Sequence, residues 1–190
     1  VKQGSFDASS WTDLSVNYLS AYEQSKTIAE KAAWDFIHNQ EAGHQLELSV
    51  INPGGVFGPT LSPDIQGVSL DIFAQMLTKK MPGIPDISFA MVDVRDVAYH
   101  HVKAMTVPEA NGKRFISAHS EPTQMIQVAR LLKKNGYDVP TKSLPSILIK
   151  FMGLFDKQAK GMSKYLGRRV SCDNSATIKS VEGKPISLDN

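Results

Sequence analysis

Tyr22 and Lys26 stand four residues apart in the run Ala21-Tyr22-Glu23-Gln24-Ser25-Lys26. On a helix that spacing projects both side chains from one face, about one turn apart, so both can act on one ligand. A phenol ionises near pH ~10 and is a poor acid–base catalyst at neutral pH. A neighbouring ammonium favours the phenolate, and Lys26 would be that ammonium. An exposed Tyr/Lys helix pair without any task has the same spacing, so the surroundings must decide.

Farther along, Asn52-Pro53-Gly54-Gly55-Val56-Phe57-Gly58-Pro59 combines glycines and prolines at the end of an apolar run. Such a turn permits close backbone approach to a flat ligand at a strand's carboxyl end, and its plainer reading is an ordinary Gly/Pro turn. Asp96, His100 and the adjacent His101 share a helical stretch and could hold a metal, but a carboxylate capping the helix is the simpler use of Asp96, and no metal site is expected. Cys172 has no activating neighbour in sequence and reads as structural.

The elements that must position these residues follow from periodicity. Residues 1–20 have loop chemistry. Ala21 to Asn39 carries Ile28, Ala29, Ala32, Ala33, Phe36 and Ile37 at helical spacing. Leu46 to Ile51 reads as a strand running into the Asn-Pro-Gly-Gly turn. Leu70 to Lys80 is a second helix and Ser88 to Val92 a strand. Asp93 or Asp96 caps a helix that ends before Pro108. Arg114 to Ala118 is a strand, Thr123 to Asn135 a helix closed by Gly136. Residues 140–170 form an apolar helical stretch, with Leu144 to Phe155 packing inside a smaller lobe, and the last twenty residues are polar and frayed. This alternation predicts an α/β fold with helices over a mostly parallel sheet. Two or three strands leave an unpaired edge, so further strands are expected from elsewhere.

Composition narrows the function classes. The chain has 190 residues, 21 Lys and Arg against 19 Asp and Glu, and 42% hydrophobic residues, the profile of a folded domain. The scattered basic residues do not trace a nucleic-acid backbone. No apolar run reaches the ~20 residues that cross a bilayer. A single cysteine forms no internal disulfide, and the cytoplasm is the expected location. Val1-Lys2-Gln3-Gly4 reads like the interior of a longer chain.

Taken in register, Tyr-x-x-x-Lys, the helix Ser25-Lys26-Thr27-Ile28-Ala29-Glu30-Lys31-Ala32-Ala33-Trp34, the Asn-Pro-Gly-Gly-Val-Phe-Gly-Pro turn and Val92-Asp93-Val94-Arg95-Asp96-Val97-Ala98 resemble the extended short-chain dehydrogenases, and within them the dihydroflavonol reductase-like and aldehyde or ketone reductases. Ser9-Ser10-Trp11-Thr12-Asp13 resembles the family's segment ahead of its catalytic tyrosine, and the similarity runs to about Arg169.

The resemblance implies NAD(P)H-dependent reduction of an aldehyde or ketone, with NADP favoured over NAD. Tyr22 would donate the proton, and Lys26 would ease its ionisation and bond the nicotinamide ribose. Pro53, Gly54, Gly55 and Val56 would line the nicotinamide, their backbone groups holding its carboxamide, with Ser69 a lesser cofactor contact. It implies the C-terminal part of a Rossmann-type doubly wound parallel sheet, with residues 1–110 in the cofactor domain and 111–190 mainly a mixed substrate-binding lobe and tail. The family's glycine-rich strand-turn-helix for the pyrophosphate and its catalytic Ser or Thr find no match here, and Ser5, Ser9 and Ser10 lie in the wrong segment to replace the latter. The expected partners are a small carbonyl substrate and the missing N-terminal half of the same fold, with no nucleic acid or membrane. Two alternatives stay open: a nucleotide-sugar epimerase or hydroxysteroid-type dehydrogenase, and a non-catalytic dinucleotide-binding regulatory or scaffold protein.

Overall fold

The computed structural model describes residues 3–17, 19–41, 43, 45–62, 68–181 and 186, with backbone alone for residues 3, 68–70, 157 and 158. In chain order the elements are β1 (Gln3–Phe6), α1 (Ala21–His38), β2 (Val50–Pro53), β3 (Gly55–Phe57), α2 (Val68–Leu77), β4 (Ser88–Phe89), β5 (Met91–Asp93), α3 (Val94–Thr106), a short 3-10 turn (Pro108–Ala110), β6 (Arg114–Ser117), β7 (Thr123–Gln124), α4 (Met125–Lys134), α5 (Ser146–Met152), α6 (Lys157–Ser163), β8 (Arg169–Cys172) and α7 (Ser175–Ser180). No helix among the described residues is long and apolar enough to cross a membrane.

The helices begin and end where side-chain chemistry allows. α1 opens on a capping box: the Glu23 N–H donates to Ser20 Oγ at 3.2 Å, and the Ser20 N–H donates back to Glu23 Oε2 at 2.7 Å. Of the two aspartates that could start α3, Asp93 does so. Its Oδ1 accepts the Arg95 N–H at 2.8 Å, and both its oxygens take the Arg95 guanidinium. α4 stops at Asn135 and Gly136, whose φ of 89° is the left-handed turn expected of a helix end.

Among the described residues, four two-stranded ladders make up the sheet structure. β2 runs parallel to β6, Val50 opposite Arg114 and Pro53 opposite Ser117, and β3 runs parallel to β5, Gly55 opposite Met91. β1 is parallel to β8, and β4 antiparallel to β7. Among the described residues β2 pairs with β6 alone. One core gathers Met76, Met81, Ile84, Ile87, Met125, Ala129 and Val139, drawn from α2, α4 and the segments after them. A second, under β6 and α7, holds Ala110, Phe115 and Val181, all fully buried. Truncating Phe115 to alanine there would cost about 3–5 kcal/mol.

Several sequence expectations need correcting. Residues 3–6 are a strand, because β8 lends them a ladder that nothing local announces. The strand expected over 46–51 starts only at Val50, since the Gln40 side chain claims both the N–H and the C=O of Leu46. The apolar stretch 140–170 divides into α5 and α6 around Gly153. Within it Ile149 is buried, but Ile147, Phe151, Leu154 and Phe155 are exposed, so the stretch does not pack inside a lobe as expected. The last twenty residues are not simply frayed: β8 and α7 occupy 169–172 and 175–180.

Candidate active site

The start of α1 is tied down at two levels. Below the Ser20 cap, Glu23 Oε1 also accepts a hydrogen bond from the Tyr165 hydroxyl at 3.1 Å, a residue 142 positions away. Burial works against the Glu23 charge, but the Ser20 N–H and hydroxyl, the Tyr165 hydroxyl and Lys164 outweigh it and hold the carboxyl below its usual value. Tyr165 is pushed the other way, by burial and by the facing Glu23 carboxylate.

One residue before Glu23, Tyr22 points outward with 68% of its surface exposed. The Lys26 ammonium lies 5.5 Å from its ring centroid, so the helix does place the two side chains together. That distance is a cation–π contact, and the hydroxyl and ammonium remain without hydrogen-bond partners among the described residues. The inner stripe of α1 runs instead through Glu23, Thr27, Glu30, Trp34 and Ile37. Tyr22 and Lys26 lie off that stripe, on the exposed face of the helix.

The Pro53–Val56 turn sits at the carboxyl ends of the parallel strands β2 and β6. Its glycines answer to the protein's own backbone. A Cβ on Gly54 would lie 2.3 Å from the Ala90 carbonyl oxygen, a distance no side chain tolerates. The Gly54 N–H donates to the Ser117 C=O at 3.0 Å and the Gly55 N–H to the Ala90 C=O at 2.8 Å. Both amides are thus committed to the sheet, and Val56 lies in the β3–β5 ladder. Pro53 is exposed. Ser69 falls in the first turn of α2, and its side chain lies outside the described residues.

Asp96, His100 and His101 turn to three different partners. Asp96 Oδ2 accepts the Ile186 N–H at 2.7 Å, His100 Nδ1 shares a hydrogen bond with Ser117 Oγ at 2.8 Å, and His101 Nδ1 donates to the Val97 C=O at 2.8 Å. The Ile186 carbonyl also accepts from His119 Nε2 at 2.9 Å, so one point of the tail is pinned from both sides. Beside it opens a broad groove of about 1300 Å³, lined by residues including Phe57, Asp93, Arg95, Arg130 and Tyr137 but by neither Tyr22 nor Lys26. Burial pushes the Cys172 thiol up, which suits a structural residue.

Sequence reading missed the residues that hold α1, namely Tyr165, Arg114 and Glu30. Arg114 pairs with Glu30 at 2.6 Å across 84 positions, and no local pattern betrays a contact of that span. The one available signal was the place of Glu30 on the inner stripe of the helix.

No family model matches the chain. It is 38% identical over 119 residues to an uncharacterised oxidoreductase of Saccharomyces cerevisiae, covering 60% of this chain and 34% of the relative. It is 31% identical over 124 residues to the NADPH-dependent methylglyoxal reductase of the same yeast, covering 63% and 36%. It is 36% identical over 140 residues to cinnamoyl-CoA reductase 1 of Arabidopsis thaliana, covering 72% and 39%. The chain spans little more than a third of the length of these relatives. Among solved structures, yeast methylglyoxal/isovaleraldehyde reductase complexed with NADPH aligns with a TM-score of 0.72 at 23% identity, over 97% of this chain and 54% of that one. Vestitone reductase from alfalfa aligns with a TM-score of 0.70 at 18% identity, over 100% and 56%. The fold is accordingly part of a Rossmann-type α/β fold.

Proposed function

We propose, on the premise that the homologues of this chain are oxidoreductases of the extended short-chain dehydrogenase type, that the protein containing it reduces a small aldehyde or ketone to an alcohol with NADPH. The observation that carries this reading is the placement of the Lys26 ammonium over the Tyr22 ring, 5.5 Å from its centroid, on the exposed face of α1. Reduced nicotinamide, when bound, supplies hydride to the carbonyl carbon. Tyr22 donates its proton to the carbonyl oxygen, and its exposure lets solvent replace that proton. Lys26 offsets the charge left on the phenol oxygen and has a donor to spare for a ribose hydroxyl.

In this reading Pro53 and the Gly54–Gly55–Val56 backbone form a flat wall beside the nicotinamide, with the committed amides serving to fix the wall's shape, and Ser69 is a nearby contact. Residues 1–110 belong with the cofactor domain and 111–190 chiefly with a substrate lobe. The pyrophosphate cradle and the catalytic Ser or Thr come from an N-terminal half of the same fold, and β2, which among the described residues pairs with β6 alone, has a side available for it. The cytoplasm is the proposed site of action.

The test is an assay of the full-length protein with NADPH and a panel of aldehydes and ketones, beside the Tyr22→Phe variant. Turnover of at least one carbonyl, lowered by about 10²–10⁴ in the variant without loss of fold, supports the reading. Cofactor binding with no reduction of any panel member would instead identify a dinucleotide sensor. Unchanged turnover in Tyr22→Phe removes Tyr22 from its role.

A further inference from the structure

The segment ahead of the tyrosine, the tyrosine helix and the sheet meet at one guanidinium. Arg114 opens β6, where it faces Val50 of β2. Its Nε donates to Glu30 Oε1 at 2.6 Å and its Nη2 to Glu30 Oε2 at 3.2 Å, a two-pronged pair with side chains only 16% and 13% exposed. Its Nη1 donates to the Ala8 carbonyl at 2.6 Å and the Ser10 carbonyl at 2.9 Å. The guanidinium carbon lies 4.0 Å from the centroid of the Trp11 ring. Glu30 is further held by the Trp34 indole N–H, which donates to Oε1 at 3.2 Å.

We propose that Arg114 is a positioning residue that fixes the rotation of α1 about its own axis and so aims Tyr22 and Lys26. The inference rests on the reductase reading for its catalytic consequence. Glu30 follows Lys26 by four residues and Tyr22 by eight, so it sits roughly one and two turns along the helix from them and about 40° and 80° round its axis, on the inner stripe. A helix gripped at Glu30 cannot roll. Released, a roll of roughly 20° at a side-chain radius of about 6 Å carries a side chain about 2 Å, and misplacement of about 1 Å can cost 10²-fold in rate. The planar fork is what the site uses: four of the five guanidinium N–H donors are engaged, in directions an ammonium cannot reproduce.

Arg114→Lys and Glu30→Gln in the full-length protein test this, read by amide hydrogen exchange and by steady-state kinetics. The expected result is exchange at least about tenfold faster across residues 21–38 than elsewhere in the molecule, with kcat down by about 10- to 100-fold and the substrate KM within about threefold. Glu30→Gln keeps the side-chain shape and is the second variant should Arg114→Lys fail to fold. Faster exchange spread evenly over the whole protein, or a loosened α1 with unchanged kcat, overturns the positioning role. If the wild type reduces no carbonyl, the reductase reading fails on its own, and the exchange rates still decide the clamp: an α1 that exchanges no faster in either variant disproves it.

Discussion

The Tyr165 hydroxyl donates to Glu23 Oε1 at 3.1 Å, so a residue from the last part of the chain bonds the immediate neighbour of Tyr22. Substituting Tyr165→Phe removes one largely exposed hydrogen bond to a carboxylate. Global stability should fall by less than about 1 kcal/mol, since solvent replaces most of what is lost. The local effect should be larger: the first-turn amides of α1 exchange faster, while those of α4 keep their rates. Exchange measured by mass spectrometry on both helices checks this, and equal change in the two would place Tyr165 outside any special link to α1.

Ser20 performs a related task at closer range. Its hydroxyl accepts the Glu23 N–H and its own N–H donates to the Glu23 carboxylate. Ser20→Ala should cost about 1 kcal/mol, and Ser20→Thr should recover most of it, since a threonine hydroxyl accepts the same N–H and still donates to the Glu23 carboxylate. Urea unfolding midpoints of the three proteins give the ranking.

His100 sets an acid limit to stability. It is 2% exposed and bonded to the buried Ser117. Burial pushes its imidazole below the ordinary value, the Asp96 carboxylate opposes that shift, and His101 adds to it. The unfolded chain therefore takes up a proton near pH ~6.5 that the folded chain refuses. Stability is indifferent to this residue well above that pH and declines as pH falls from it towards the lower folded value. His100→Asn, which keeps a polar atom near Ser117, should flatten the decline. Unfolding midpoints at pH 7.5, 6.5 and 5.5 will show it, and parallel curves for the two proteins would refute the assignment.

Gly54 tolerates no side chain. With a Cβ 2.3 Å from the Ala90 carbonyl oxygen, Gly54→Ala must push the Gly54 backbone away from that carbonyl, which also accepts the Gly55 N–H. A loss of about 2–3 kcal/mol or more is expected, against less than about 1 kcal/mol for alanine at Gly161, where the new carbon meets nothing within 4 Å and a helix gains propensity. Thermal denaturation of the two variants distinguishes a packed backbone contact from general intolerance of glycine loss.

How much of this was legible in the sequence depended on range. The α1 helix, its Tyr22/Lys26 pair and the αβ alternation were readable, because caps and 3.6-residue periodicity are written within a turn or two of each other. Asp93 and Asp96 could not be ranked, since the deciding contacts come from Arg95 for one and from Ile186 for the other. The β1 strand was invisible because its partner is β8. That Gly54 packs against the Ala90 carbonyl, 36 positions on, was not legible either. The apolar run around α5 misled in another way: Ile147, Phe151 and Phe155 have the composition of a core and stand in solvent.

The pairing of β1 with β8 bears on the order in which this protein can be made. Gln3 waits for Arg169, and Phe6 for Cys172, so a ribosome has produced nearly all of these residues before the first strand meets its partner. The β2–β6 ladder, Val50 to Arg114, completes earlier. Loops of that size close late and at an entropic cost that grows with their length. During synthesis the tyrosine helix should therefore exist for a time as a local structure, capped by Ser20 but not yet gripped by Arg114, and the bond from Tyr165 to Glu23 comes later still, as β8 is made.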